Sequence, residues 1–239
     1  MRIACWSGPR NISTALMRSW SSRIDTFVSD EPFYSYYLNE NQLKHPMYLE
    51  IIDLYPNRYN EIVKNLSSKI PQEKKYWYQK HMAHHLKGTE DLSWIKTFKN
   101  CFLIRHPNDV ISSYVKKNIL TSVDELGYLQ QLKIIEFLQK NNLEFYVINS
   151  DDLLENPKIK LQHWCKHLNI KFDRKMLSWE KGPHQNDGIW GKHWYDSVYK
   201  TETFTKKNNI SSKNAKFIGY NKIYDEALFY YKKIYSFIK

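Results

Sequence analysis

The first loop of the chain combines the residue types that bind anions. A Gly8-Pro9 turn is followed by the positive charge of Arg10, and hydroxyl side chains follow at Ser13 and Thr14. Backbone N–H groups of such a loop, at the start of a helix, form a concave site for phosphate or sulfate. A plain capped turn has the same pattern. The loop lacks the Gly-Lys-Ser/Thr ending that holds magnesium triphosphates, which disfavours a metal-dependent triphosphatase.

Candidate proton-transfer groups follow two later runs that are predicted to be strands. Glu31 comes shortly after residues 26–29, and His81 comes shortly after residues 75–79. A carboxylate or a neutral imidazole near a substrate hydroxyl or amine can act as a general base. Asp30, beside Glu31, is expected to turn away or to cap the next segment. The two histidines after His81 are expected to be structural, and no metal is predicted because no carboxylate or cysteine stands at ligand spacing.

A second basic position follows the most apolar predicted strand. Cys101–Ile104 is apolar throughout, as in a parallel strand covered on both faces, and Arg105 comes directly after it. Pro107 suits the first turn of a predicted helix over residues 110–117. Arg105 and Ser113 could both contact one anionic ligand, and a capped helix beside an exposed arginine fits the pattern equally well.

Alternation of strands and helices positions these groups at one edge of a sheet. The pattern predicts strands at residues 3–6, 26–29, 75–79, 101–104 and 143–148, and helices at 13–20, 58–70, 110–117, 123–140, 159–168 and 220–239. We therefore expect an α/β fold in one domain, residues 1–239. This P-loop-like domain has three layers, a central parallel sheet and helices on both of its faces. The Gly-bearing, aromatic segment 181–195 is either a lid that brings Lys192 to an anion or a surface loop.

Charge and cysteine content narrow the class of partner. The chain has 36 Lys and Arg against 25 Asp and Glu, a formal charge of +11, which favours anionic ligands. Lysine is spread over the whole chain, so nucleic acid is an unlikely partner and most of the charge is expected on a solvated surface. The three cysteines are expected to be buried free thiols in the cytoplasm. No leader or membrane span is expected, and no oligomeric state is predicted.

Three separated segments together resemble the sulfotransferase family, whose donor is 3′-phosphoadenosine 5′-phosphosulfate (PAPS). The opening WSGPRNISTAL is similar to the 5′-phosphosulfate loop of that family, FLIRHPNDVISSY to its 3′-phosphate segment, and NSDDLLENP to a structural stretch after the next strand. The likeness covers about residues 1–38 and 98–172, and more loosely 75–86. Where the family often has glycine, this chain has Ile12.

The resemblance implies a site and a reaction. It assigns the 3′-phosphate to Arg105 and Ser113, with Lys192 as a weaker echo, and the phosphosulfate to Gly8, Pro9, Arg10, Asn11, Ile12, Ser13 and Thr14. Arg10 is then the catalytic cation. Glu31 looks like the glutamate of tyrosylprotein-type members, whereas His81 stands near the catalytic histidine of cytosolic members, and we expect Glu31 to be the base. The reaction is transfer of a sulfuryl group from PAPS to a small-molecule hydroxyl or amine, without a metal.

Two other functions fit parts of the same pattern. A small-molecule kinase using ATP would need magnesium and a loop lysine, where this chain has Arg10. A non-catalytic polyanion-binding protein would show salt-sensitive binding without turnover, and Glu31→Gln would not affect it.

Overall fold

A five-stranded parallel sheet forms the centre of the computed structural model, which describes residues 1–86, 88, 90–205 and 219–238. The strand order is β2-β3-β1-β4-β5 and every pair is parallel. The strands are β1 Arg2–Ser7, β2 Thr26–Asp30, β3 Tyr76–Met82, β4 Lys99–Ile104 and β5 Phe145–Asn149. The predicted α/β architecture is confirmed.

Helices cover both faces of this sheet. They are α1 Ser13–Ser21, α2 Tyr34–Glu40, α3 Tyr48–Leu54, α4 Tyr59–Leu66, α5 Pro107–Tyr114, α6 Tyr128–Lys140, α7 Ser150–Glu155, α8 Pro157–His167, α9 Gly191–Trp194 and α10 Asn221–Tyr235. None of these helices is long and apolar enough to cross a membrane.

Strand β1 shows how the two faces are filled. Ile3 and Cys5 belong to the core that contains side chains of α1 and α8, whereas Ala4 and Trp6 belong to the core with α6 and α10. Successive side chains of a strand point to opposite faces, so a strand covered on both sides is apolar throughout. All three cysteines are buried and free, as expected.

The strand order of the sheet has a switch point between the neighbouring strands β1 and β4. From β1 the chain passes to β2 and β3 on one side, and then crosses to β4 and β5 on the other. Ligands of open α/β sheets bind outside the carboxyl ends of strands at such a switch point. The loop after β1 and Arg105 after β4 therefore lie where this fold places ligands.

Several predicted boundaries are corrected. Strand β3 continues to Met82, so His81 lies inside it. The single helix predicted over 123–140 is a 3-10 turn followed by α6, with the break at Gly127. The helix predicted over 58–70 ends at Leu66, and residue 239 of the last predicted helix lies outside the described residues. The interpretation of residues 1–239 as one domain stays a prediction.

Candidate functional site

The loop between β1 and α1 turns through two left-handed residues. Arg10 has φ 62° and Ile12 has φ 60°, and Ile12 is the N-cap of α1. An isoleucine side chain cannot accept a hydrogen bond, and no side chain caps this helix. The first-turn N–H groups of α1 are therefore open to an anion, at the positive end of the helix. Family members with glycine at position 12 would adopt this backbone without strain.

Neighbouring backbone holds the loop in place. A Cβ atom at Gly8 would lie 2.0 Å from the carbonyl oxygen of Leu126, so only glycine fits there. Gly127, where the predicted helix breaks, has φ 74° and packs against Gly8. On the other side, the Ser150 hydroxyl donates a hydrogen bond of 2.9 Å to the carbonyl of Asn11. The segment NSDDLLENP thus supports the loop that the sequence singled out.

Two arginines and a serine meet beside the loop. The Nε atom of Arg10 donates a 2.8 Å hydrogen bond to Ser113 Oγ, and Arg105 Nη1 donates one of 3.3 Å to the carbonyl of Arg10. Arg105 Nε lies 3.6 Å from Asp151 and has no hydrogen bond within the described residues. Burial and the nearby charge of Arg105 lower the pKa of Arg10. Such a pair of cations favours an anion between them.

The predicted contact of Lys192 with a 3′-phosphate stays a prediction. Lys192 is exposed on α9 and makes no hydrogen bond or ion pair with the described residues. A different lysine, Lys117, pairs with an aspartate: its Nζ lies 2.6 Å from Asp196 Oδ2. The negative charge of the Asp196 carboxylate acts on Arg10, because it raises the pKa of Arg10 and so opposes the lowering by burial and by Arg105. Asp196 follows α9 by two residues.

Glu31 forms a buried cluster with a lysine that sequence reasoning missed. Lys80 Nζ lies 2.6 Å from Glu31 Oε1 and 2.9 Å from Asp30 Oδ1, and the Lys80 side chain is only 1% exposed. Two carboxylates thus share one ammonium group. Burial raises the pKa of Glu31, and the neighbouring Asp30 adds to this rise while Lys80 opposes it. Burial by itself would lower the pKa of Lys80, but the two carboxylates raise it above its usual value.

The backbone at Glu31 is unusual. Its φ is 43°, in the left-handed region, and Pro32 follows. A residue with a side chain rarely adopts a positive φ, because its Cβ atom crowds the backbone, so this conformation is strained. Backbone strain of this kind concentrates at functional sites. The Glu31 N–H donates a 2.9 Å hydrogen bond to the carbonyl of Lys80, which fixes the backbone of Glu31 at the end of β2.

The expectation for Asp30 is wrong. Instead of turning away, it accepts hydrogen bonds from Lys80, from the Tyr195 hydroxyl and, at 3.0 Å, from the backbone N–H of Gly188. Tyr195 is a second residue that the sequence did not single out. The signal that could have found Lys80 is its place directly after the aromatic run Tyr76–Tyr78 in a predicted central strand, where a buried lysine needs a partner.

The structure places His81 in the core. Its ring stacks on Trp6 at 4.4 Å between centroids and lies 5.7 Å from Phe33. Its Nε2 atom is hydrogen-bonded to Gln79, and burial lowers its pKa to about 3. Lys80 and His81 are consecutive in β3, so their side chains point to opposite faces. This geometry favours Glu31 over His81 as the proton acceptor.

The model of the family described as Sulfotransferase domain matches residues 1–235. The chain belongs to the sulfotransferase domain family. The sulfotransferase domain of the Synechococcus PCC 7002 olefin synthase has the same fold, with a TM-score of 0.53, 15% identity, and 85% of this chain and 84% of that domain covered.

Two curated Arabidopsis thaliana relatives carry a different name. Branched-chain-amino-acid aminotransferase-like proteins 2 and 1 are 31% and 32% identical to this sulfotransferase-family chain over 203 residues. The match covers 85% of this chain but only 36% of each relative, so the chain spans about a third of their length.

Within the described residues, no three His, Cys, Asp or Glu side chains are grouped so that they could hold a metal ion.

Proposed function

We propose that this protein transfers a sulfuryl group from PAPS to a hydroxyl or amine of a small-molecule acceptor. The observation that carries the proposal is the convergence of Arg10, Ser113 and Arg105 beside the uncapped start of α1. Glu31 stands at the end of β2, at the same edge of the parallel sheet. Anion binding and proton transfer are therefore supported at one edge.

The residues present fit a donor with two anionic ends. The α1 N–H groups and Arg10 suit a 5′-phosphosulfate, and Arg105 with Ser113 suits a 3′-phosphate. Arg105 Nε is buried and has only the 3.6 Å ion pair with Asp151, without a hydrogen bond within the described residues, so a ligand oxygen could accept from it. When bound, PAPS would supply the sulfuryl group.

Arg10 and the loop have the role of stabilising negative charge. In an in-line transfer, charge grows on the departing phosphate oxygen and on the equatorial oxygens. Donors fixed before the reaction lower the barrier because they need no reorganisation. Arg10 is already oriented by its hydrogen bond to Ser113, and it supplies the positive charge that a kinase takes from magnesium.

Glu31 has the role of general base. Its Oε1 atom is bonded to Lys80, whereas no hydrogen bond reaches Oε2 from the described residues, so Oε2 is the oxygen that can take a proton. When Glu31 is protonated, the remaining charges of Lys80 and Asp30 cancel within the buried cluster. The raised pKa of Glu31 matches this role, because a base works best when its pKa approaches the working pH.

Calorimetric binding of adenosine 3′,5′-bisphosphate tests the donor site. We expect micromolar affinity in the wild type, loss in Arg105→Ala, and little competition by ATP with magnesium. Arg174→Ala is the matched control, since Arg174 is exposed on a 3-10 turn packed near the far end of α1. Preference for ATP with magnesium would favour the kinase, and no bisphosphate binding would overturn the proposal.

A further inference from the structure

The segment after α8 closes into a loop that is pinned to the rest of the protein. The Gly182 N–H donates a 3.0 Å hydrogen bond to the Tyr199 carbonyl, so residues 182–199, here called the strap, begin and end together. Arg18 of α1 pairs with Asp187 of the strap at 2.6 Å, and both side chains are at least 95% buried. The strap is therefore anchored in the interior and is not a loose surface loop.

The strap delivers one hydroxyl group into the Glu31 cluster. Tyr195 Oη lies 2.7 Å from Lys80 Nζ, 2.8 Å from Asp30 Oδ2 and 3.2 Å from Glu31 Oε1. The indole N–H of Trp190 donates to the same oxygen at 3.1 Å. Tyr195 is buried, so this hydroxyl is a fixed part of the cluster.

Counting protons shows what the hydroxyl does. Lys80 has three N–H donors, and Asp30, Glu31 and Tyr195 accept one each. The Tyr195 oxygen accepts from Lys80 and Trp190, which leaves its single proton for a carboxylate. Without this oxygen, one ammonium N–H and the indole N–H would lose their acceptor, and the carboxylates would lose a donor.

We propose that Tyr195 is a positioning residue for Glu31: its hydroxyl completes the shell of Lys80 and Asp30, which anchors Oε1 and leaves Oε2 directed to the acceptor. The inference rests on the proposed function for the role of Glu31 as a base. The groups that face Glu31 are Asp30 from β2, Lys80 from β3 and Tyr195 from the strap, and the charge of Glu31 is felt at Tyr34 of α2.

Removal of the hydroxyl has a predictable direction. The Tyr195 proton stabilises the anionic cluster, and its hydrogen bond lowers the pKa of Glu31 against the effect of burial. In Tyr195→Phe the titration midpoint of Glu31 should therefore rise above that of the wild type. Turnover should fall while affinity for the donor stays unchanged, because the strap hydroxyl does not contact Arg10 or Arg105.

NMR titration of protein labelled with [δ-¹³C]glutamate measures that midpoint without an acceptor, and the Glu31 signal is the one missing in Glu31→Gln. We expect an upward shift in Tyr195→Phe and none in Tyr199→Phe, a matched control on the same strap. Replacement of Tyr195 by 3-fluorotyrosine keeps the shape, strengthens the donated hydrogen bond and should lower the midpoint. This second variant decides the matter if Tyr195→Phe does not fold.

An unchanged midpoint in the folded Tyr195 variants would overturn the positioning role. Bisphosphate calorimetry on the same wild-type sample separates the two proposals. If the bisphosphate does not bind but the midpoint still moves with Tyr195, the proposed function fails and the positioning of Glu31 stands. If the bisphosphate binds and the midpoint does not move, only the role of Tyr195 is lost.

Discussion

Arg10 and Ser113 are 103 residues apart in the sequence and are joined by a 2.8 Å hydrogen bond from Nε to Oγ. The bond connects the loop after β1 to helix α5 after β4, across the switch point of the sheet. It orients the guanidinium group before any ligand arrives. The hydrogen bond therefore connects the proposed phosphosulfate end of the donor site, at Arg10, to the proposed 3′-phosphate end, at Ser113.

Ser113→Ala should weaken binding of adenosine 3′,5′-bisphosphate about tenfold, because it removes a hydroxyl donor and frees Arg10 to move. Isothermal titration calorimetry checks this. Ser112→Ala is the control, since the neighbouring residue of a helix faces a different side. Equal affinity of both variants would show that Ser113 does not contact the ligand.

Gly8→Ala should destabilise the fold by about 2–4 kcal/mol, because its methyl group would lie 2.0 Å from the Leu126 carbonyl oxygen, a backbone atom that cannot rotate away. The free energy of unfolding from urea denaturation measures the effect. Pro9→Ala, at a half-buried position next to it, should change stability far less. A Gly8→Ala protein as stable as wild type would mean that the loop can move away from Leu126.

Glu31→Gln should reduce turnover of PAPS by about 10²–10⁴-fold and leave bisphosphate affinity unchanged, because a base is lost but no donor contact is. Since the pKa of Glu31 is raised above 4.5, wild-type kcat/KM should fall as the pH drops through the raised value. His81→Phe, which keeps the ring stack, is the comparison. Loss of the acid limb in His81→Phe but not in Glu31→Gln would make His81 the base.

Asp196→Asn should tighten bisphosphate binding several-fold. The Asp196 carboxylate neutralises Lys117 and acts on Arg10, so its removal leaves more positive charge for the ligand. Asp225→Asn removes the same charge from an exposed position on α10 and serves as the control. Calorimetry at two salt concentrations measures both, and unchanged or weaker binding in Asp196→Asn would contradict this role.

Stability should fall in acid because of His81. Its pKa is about 3 when folded against 6.5 when exposed, so between these values the unfolded chain binds a proton that the folded protein excludes. Stability should drop as pH falls through this window, by up to about 1.4 kcal/mol per pH unit. Urea unfolding from pH 7 to 5 should show a shallower slope in His81→Phe than in wild type. The exposed His163→Asn variant should keep the wild-type slope.

Local pattern was sufficient for much of the fold. The apolar runs around Ile3 and Cys101 and the periodic stretch around Leu132 predicted β1, β4 and α6, because burial on both faces or on one face imposes a readable period. The predicted ends of several elements differ from those in the structure. The β-rich run ends at Gln79 in the sequence, and only the pairing of β3 with β1 shows that the strand continues through His81 to Met82.

The sequence by itself determined the Gly-Pro-Arg loop that we propose as an anion site, the positions of Arg105 and Ser113 and the glutamate at the end of β2, since residue type and spacing act over a few neighbouring residues. Only the tertiary structure decided what those groups touch. Lys80 and Tyr195 are 115 residues apart and meet in one buried cluster with Asp30 and Glu31. A buried charge needs a partner, and tertiary structure supplies it from a distant part of the chain. The spacing of residues along the sequence therefore does not predict which residue that partner is.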